Sequence, residues 1–158
     1  MNVVADDVIV IAGRSEAGEI LCSPRRRSEF AFLVSIGAPR EREPAGMRNI
    51  AKRVRLVFED AASQLEGGAS EDDIRRLIHF ARNVDFRSGK VLVHCQAGIS
   101  RSAAAAMILL AALLGPGGEE TAIQHVRRTH PNVKPNRRML ELGDALLGAG
   151  GRLLGGAA

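Results

Sequence analysis

Short apolar runs recur along the chain at lengths typical of buried β-strands. Residues 8–11 and 30–36 are mainly apolar, and residues 53–58 alternate in part, as in a half-exposed strand. Residues 91–93 are wholly apolar, which indicates a central strand covered on both faces. The pattern therefore predicts a central sheet of four to five strands.

Helical periodicity separates these strands. Ser70 and Asp73 form a capping-box sequence, and the apolar residues after it have helical spacing: Ile74, Leu77, Ile78 and Ala81. Residues 103–114 are apolar on nearly all sides, which predicts a buried helix, and residues 119–128 predict another. A last helix is expected after Asn136. Strands that alternate with helices predict an α/β fold, with a mainly parallel sheet flanked by helices.

Length and charge limit the classes of function. A chain of 158 residues is the size of one domain, which we assign to residues 1–148, followed by a Gly-rich flexible tail at 149–158. The net charge of +4 favours anionic partners. The basic residues are scattered, and the chain has no Trp or Tyr for base stacking, so we expect no nucleic-acid partner.

The two cysteines, Cys22 and Cys95, lie far apart, and no Cys/His cluster suggests a metal site or a cofactor. The apolar stretch at 103–114 is too short to span a bilayer. The start of the chain lacks the basic residues and long apolar run of a secretion signal. We therefore expect a cytoplasmic protein without a membrane span.

The chemistry is concentrated in one segment between the predicted central strand and the buried helix, His94 to Ser102. Backbone N–H groups of such a loop and the positive end of the helix can converge on an anion. That field favours the Cys95 thiolate, and the Arg101 guanidinium can hold two phosphate oxygens at once. Gly98 permits a tight turn. The predicted phosphate-binding residues are Gln96, Ala97, Gly98, Ile99, Ser100 and Arg101.

The segment His94–Ser102 resembles the signature loop of the protein-tyrosine and dual-specificity phosphatases. The short chain, with Cys95 well past its middle, is similar to the compact dual-specificity branch. The resemblance implies a nucleophilic Cys95, a phosphate clamp at Arg101 and a supporting hydrogen bond from His94, while Ser102 can stabilise the departing thiolate. It implies hydrolysis of phosphorylated proteins or small phosphomonoesters through a cysteinyl-phosphate, without a metal or cofactor.

A phosphatase of this kind also needs a proton donor for the leaving group. The family places an Asp on a loop upstream of the cysteine, and Asp60 follows a predicted strand there, with Glu59 as the alternative. Asp72 and Asp73 are explained by the helix start. Asn136 resembles the Asn of a Pro-Asn pair found late in dual-specificity members, and an N-cap role explains it equally well.

Other functions remain open from the residues alone. A non-catalytic phosphate-binding module would keep the same loop, and a sulfurtransferase or arsenate reductase also uses a cysteine in an anion-binding loop, with Cys22 as a weak candidate for a second cysteine. The basic residues 25–27 are interpreted as a solvated loop. No role is assigned to three further histidines: His79, His125 and His130. The sequence leaves phosphotyrosine, phosphoserine/threonine and non-protein phosphates as possible substrates.

Overall fold

A computed structural model describes residues 4–158. Its centre is a sheet of four parallel strands, in the order β1-β4-β2-β3. The strands are β1 (Ile9–Ala12), β2 (Phe30–Gly37), β3 (Lys52–Val57) and β4 (Lys90–His94). Every predicted strand is present, β4 is central, and the predicted parallel α/β fold is confirmed.

Within residues 4–158, six α-helices surround the sheet: α1 (Arg14–Cys22), α2 (Pro24–Arg27), α3 (Glu71–Ala81), α4 (Arg101–Leu114), α5 (Glu119–Thr129) and α6 (Arg137–Leu147). Short 3₁₀ turns occupy Met47–Asn49, Gln64–Glu66 and Arg152–Ala157. Helix α4 is buried from its first residue to Ala111, so its many alanines allow close packing on all sides. The prediction of a central buried helix is confirmed.

The two faces of the sheet contribute to separate cores. Leu33 of β2 and Leu92 of β4 are register partners and pack against α1. Their neighbours Val34 and Val93 point to the other face and join the larger core formed with α3 to α6. Because side chains alternate along a strand, wholly apolar strands are what a sheet covered on both faces requires.

Helices α1 and α2 were not predicted. The buried side of α1 is small, with Ala17, Ile20 and Leu21 as its main apolar residues. The basic residues 25–27, interpreted as a loop, lie in the single turn of α2, which begins with Pro24 after the capping residue Ser23. They are nevertheless largely exposed, as a solvated segment should be.

The C-terminal segment, residues 149–158, for which we predicted a flexible tail, packs on α4, α5 and α6. Leu153 is fully buried, and its N–H donates to Asp144 Oδ1 at 3.0 Å. Arg127 donates to the carbonyl of Gly156 and, at 2.7 Å, to that of Ala158. The prediction of flexibility came from the Gly-rich composition of the segment, which also contains one fully buried leucine.

Candidate active site

The loop from Cys95 to Ser100 connects the central strand β4 to the buried helix α4. Gly98 has φ of +75°, and a Cβ there would lie 2.6 Å from backbone atoms of Ala12 and Gly13, so the loop requires glycine. Ser100 is the N-cap of α4, but its side chain does not bond to the helix. The first N–H groups of α4 therefore have no side-chain cap competing with an anion.

The Cys95 thiol lies at the base of this loop and is 2% exposed. Its Sγ is 3.1 Å from Ser102 Oγ and accepts a hydrogen bond from Gly98 N at 3.3 Å. Burial alone would raise the pKa of the thiol. Hydrogen bonds from the Ser102 hydroxyl and from the backbone N–H groups of Ser102, Gly98 and Ile99 outweigh burial and lower that pKa. The surroundings thus favour the thiolate, the nucleophilic form.

His94 lies beneath the loop and is almost completely buried. Its Nε2 is 2.5 Å from Ser35 Oγ, and its Nδ1 is 3.2 Å from the carbonyl oxygen of Cys95. Burial lowers the pKa of the imidazole to about 4, so the ring is neutral at physiological pH. His94 contacts the backbone of the loop and does not contact the sulfur.

Arg101 begins helix α4 with its side chain buried. Its Nη1 donates to Glu41 Oε1 and to the Phe58 carbonyl, both at 2.9 Å. Its Nε is buried without an acceptor among residues 4–158. A guanidinium held through one nitrogen keeps its other N–H groups available for a ligand. A buried N–H donor without an acceptor is unusual in a folded protein.

Sequence reasoning missed Glu41, which lies on the loop after β2. Burial would raise the pKa of its carboxyl, but hydrogen bonds from Arg101 and from the Ala38 N–H, with the charges of Arg101 and Arg55, lower it. Glu41 is therefore an ionised partner that orients Arg101. The position of Glu41 shortly after a predicted strand was an available signal, because the carboxyl ends of parallel strands meet at the same edge of the sheet as the loop.

Asp60 comes close to the same loop from the segment after β3. Its Oδ1 accepts hydrogen bonds from Ser100 Oγ and from Asn136 Nδ2, both at 2.7 Å. Asn136 also caps α6 by accepting from Met139 N at 2.9 Å. The two interpretations of Asn136 are therefore compatible. Glu59 donates its N–H to Gly67 O and is exposed, and its carboxylate has no such contact with the loop.

Backbone hydrogen bonds hold two of the remaining predicted loop residues, Gln96 and Ile99, in place. Gln96 O accepts from Arg14 N at 3.1 Å, and Ile99 O accepts from Lys134 N at 2.9 Å. The Ile99 side chain is 42% exposed at the rim. Ala97 lies beside Gly13, and a methyl group added to Gly13 would be tightly packed against the loop backbone.

Two more residues near the loop were not singled out from the sequence, Ser35 of β2 and Arg55 of β3. Arg55 Nη1 donates to Ser35 Oγ at 2.9 Å, and Ser35 contacts His94. The signal for Ser35 was a lone polar residue in an otherwise apolar strand, since buried polar groups need partners. Arg55 gave none, because an alternating strand predicts an exposed arginine.

Among the described residues, no group of three or more His, Cys, Asp or Glu side chains is arranged to hold a metal ion. Within the same part of the chain, no helix has the length and apolarity needed to cross a membrane.

The loop, its strand and its buried helix have the arrangement of the cysteine-based phosphatases of the tyrosine and dual-specificity type. The family described as "Dual specificity phosphatase, catalytic domain" matches residues 40–143, and the chain belongs to this family. No curated protein sequence matches the chain.

Solved structures with the same fold share little sequence with it. The human tyrosine phosphatase-like serine/threonine/tyrosine-interacting protein has a TM-score of 0.70 at 18% identity, over 88% of this chain and 90% of that one. Human DUSP28 gives 0.67 at 19%, over 90% of each chain. A mouse dual specificity phosphatase complexed with zinc tungstate gives 0.67 at 20%, over 89% and 82%.

Proposed function

We propose that the protein hydrolyses phosphomonoesters through a cysteinyl-phosphate intermediate, with Cys95 as nucleophile. The observation that carries this proposal is the setting of the Cys95 sulfur. It is buried, yet its hydrogen bonds from Ser102 and Gly98 favour the thiolate over the thiol. A cysteine that served only packing would have no use for such donors.

In the first step the Cys95 thiolate attacks phosphorus, so that an S–P bond forms as the P–O bond to the leaving group breaks. Backbone N–H groups of residues 96–101, together with the guanidinium N–H groups of Arg101 that are not bonded to Glu41 or Phe58, hold the remaining phosphate oxygens. Asp60 gives its proton to the leaving oxygen. Both contacts of Asp60, from Ser100 and Asn136, use Oδ1, which keeps Oδ2 available to carry that proton.

In the second step water attacks the cysteinyl-phosphate, and the S–P bond breaks. Asp60, now ionised, takes a proton from the attacking water. The sulfur leaves as a thiolate, and the Ser102 hydroxyl donates a hydrogen bond to the charge that develops on it. Inorganic phosphate is released, the starting thiolate is regenerated, and the proposed steps use no metal.

We propose phosphorylated proteins as substrates, at phosphotyrosine and at phosphoserine or phosphothreonine. No Lys or Arg lies between Cys95 and Arg101, which disfavours a highly charged inositol head group. The chain has no Tyr to stack against a phosphotyrosine ring. We expect similar rates on phosphotyrosine and phosphoserine peptides, and a strict preference for phosphotyrosine would contradict this assignment.

The central test compares the wild type with Cys95→Ser on an aryl phosphate such as para-nitrophenyl phosphate. Turnover should be abolished in the variant while vanadate still binds, because the loop amides and Arg101 are unchanged. Exposed Cys22 supplies the matched control, since Cys22→Ser should keep full activity. Hydrolysis that survives in Cys95→Ser would overturn the proposal. A wild type that binds vanadate without turnover would indicate the phosphate-binding alternative.

The role of Asp60 is tested by the pH dependence of kcat/KM. The wild type should give an ascending limb from the thiol and a descending limb from the acid. Asp60→Asn should lose the descending limb, and Glu59→Gln should keep it. The opposite result would transfer the role to Glu59.

A further inference from the structure

Three polar side chains lie side by side beneath the loop, one from each of three neighbouring strands. Ser35 of β2 is the register partner of both Arg55 on β3 and His94 on β4. Arg55 Nη1 lies 2.9 Å from Ser35 Oγ, which is 2.5 Å from His94 Nε2. His94 Nδ1 is 3.2 Å from the Cys95 carbonyl oxygen. The four residues form one continuous chain of polar contacts.

The direction of every hydrogen bond in this chain follows from its chemistry. A neutral imidazole carries one proton, and the Cys95 carbonyl can only accept, so the proton lies on His94 Nδ1. Nε2 is then an acceptor, and the Ser35 hydroxyl must donate its single proton to it. The lone pairs of Ser35 are left for the guanidinium of Arg55, which can only donate.

We propose that Arg55 is a positioning residue for the hydrolysis, which acts by holding the Ser35 hydroxyl towards His94 and so keeping the His94 proton on the Cys95 carbonyl. This inference rests on the proposed function of Cys95. Without Arg55, the Ser35 hydroxyl can rotate and accept a proton from Nε2. The other tautomer of His94 then sets an unprotonated Nδ1 against the Cys95 carbonyl, which repels it.

The His94 contact matters because it sets the orientation of the peptide that follows Cys95. In a trans peptide the C=O and the next N–H point in opposite directions, and the described chain has no cis peptide bond. A Cys95 carbonyl held by His94 therefore keeps the N–H of Gln96 pointing away from His94. A change of tautomer releases this peptide and loosens the loop whose N–H groups stabilise the thiolate.

Burial keeps His94 neutral, and the charges around the ring act in the same direction. The groups that act on it are the cations Arg55 of β3, Arg14 of α1 and Arg101 of α4, and all three disfavour an imidazolium. Arg55 is itself balanced by Glu43 and Glu41 on the loop after β2. Protonation of His94 therefore does not compete with the tautomer that the carbonyl selects.

Two features indicate that the site of Arg55 is built for its guanidinium. Gly37 provides the space, because a Cβ there would lie 2.5 Å from Arg55 Nη2. The half-buried guanidinium also lies far enough inside the molecule that burial lowers its pKa. A solvent-facing arginine on an edge strand would need neither.

The test compares Arg55→Met with Arg53→Met, which removes the same charge from the same strand. Arg53 donates to Ile50 O and has no contact with Ser35. The first readout is the pH dependence of Cys95 alkylation by iodoacetamide, resolved by peptide mass spectrometry so that Cys22 does not contribute. We expect Arg55→Met to slow alkylation about threefold to tenfold below neutral pH, the worth of one hydrogen bond, and Arg53→Met to leave it unchanged.

Nitrogen NMR of the His94 ring gives a readout that a purely structural role would not move. The wild type should be the Nδ1–H tautomer, and Arg55→Met should populate the Nε2–H form. Arg55→Lys, which can still donate to Ser35, should restore most of the wild-type signal and alkylation rate. An Nδ1–H ring that is unchanged in Arg55→Met would overturn the proposal.

Two further variants separate the hydrogen bond from the charge. Gly37→Ala should displace the guanidinium without removing it and slow alkylation as Arg55→Met does. Ser35→Ala should have the same effect, and the double variant with Arg55→Met should be no worse than Ser35→Ala alone, because both act through one contact. Additive losses would contradict the proposed order of contacts, and so would a Gly37→Ala protein that matches the wild type.

These readouts keep the two proposals distinct. Alkylation and the His94 tautomer need no turnover, so they report on Arg55 even in a protein that does not hydrolyse phosphate. An active enzyme whose Cys95 reactivity ignores Arg55 would overturn only the positioning role. If Arg55→Met does not fold, Gly37→Ala and Ser35→Ala supply the same comparison.

Discussion

Burial and hydrogen bonding act against each other at the sulfur of Cys95. The thiol is almost completely inside the protein, which disfavours a charge, and yet the donors around it lower its pKa. Among these donors the Ser102 hydroxyl is the only side chain. It is also the donor that a single substitution can remove without altering the backbone of the loop.

We predict that Ser102→Ala slows turnover by about ten- to a hundredfold, because a hydrogen bond to a charged group contributes about 1.5–3 kcal/mol. The second step should suffer most, since the sulfur must leave as a thiolate. Rapid-mixing kinetics with para-nitrophenyl phosphate should then show a burst of one nitrophenol per enzyme. Ser88→Ala, at an exposed turn, is the control. Loss of turnover without a burst would assign Ser102 to the first step.

The neutral state of His94 has a consequence for stability. Its pKa is lowered from 6.5 to about 4 by burial, so between these values the unfolded chain binds a proton that the folded protein does not. Stability is fully present above pH 6.5 and is lost as the pH falls towards 4. For this one residue the loss amounts to at most ~3 kcal/mol.

We therefore predict that the free energy of unfolding, measured in urea from pH 7 to pH 4, falls more steeply in the wild type than in His94→Asn. The variant is less stable at pH 7 because it loses the contacts of the ring, and the difference should shrink as the pH falls. His125 and His130 also have lowered pKa values from burial and supply a common background slope. Parallel pH curves for the two proteins would contradict a neutral, buried His94.

At the scale of the elements, the start of α3 offers a test of local sequence signals. Ser70 Oγ accepts from Asp73 N at 3.1 Å, and Asp73 Oδ2 accepts from Ser70 N at 2.9 Å. Ser70→Ala should lower stability by about 1 kcal/mol in urea unfolding and leave kcat unchanged. Thr121→Ala on the exposed face of α5 is the control, and its stability should not fall. A fall in kcat for Ser70→Ala would link α3 to the site.

The same elements show what local pattern can and cannot predict. Strands β2 and β4 could be predicted because both of their faces are buried, and a short, wholly apolar run of this kind is typical of a buried strand. Helix α3 was found because its cap and its apolar face agree. Helix α1 was missed because a nine-residue helix with a narrow apolar side has no strong period, and its packing on Leu33 and Leu92 is a tertiary effect.

On the scale of the molecule, the site contains residues that are contiguous in sequence and residues that are distant in sequence, and the two groups could not be predicted equally well. The loop 94–102 is contiguous, so its spacing could be read directly. Glu41, Ser35 and Arg55 reach it only because β2 lies beside β4 and β3 lies beside β2, and no local pattern contains that strand order. Asp60 and Asn136 could be proposed through the family resemblance, and the fold brings both to Ser100.

The C-terminal segment decides where the domain ends. Leu153 is fully buried in the core of α4 to α6, whereas its neighbour Leu154 is only partly buried. Leu153→Ala should therefore cost about 2–5 kcal/mol in urea unfolding, and Leu154→Ala, which deletes the same atoms, clearly less. A segment that was only a flexible tail would make the two variants equal.

The effect should also reach beyond the segment itself. Gly156 packs against Met107 of α4 and Leu140 of α6, so the segment covers the helices behind the loop. Loss of the Leu153 anchor should lower the thermal midpoint of the whole domain in one transition, with kcat below that midpoint unchanged because the segment packs on α4, α5 and α6. A separate early transition would instead make residues 149–158 an independent unit, and the domain would then end at 148.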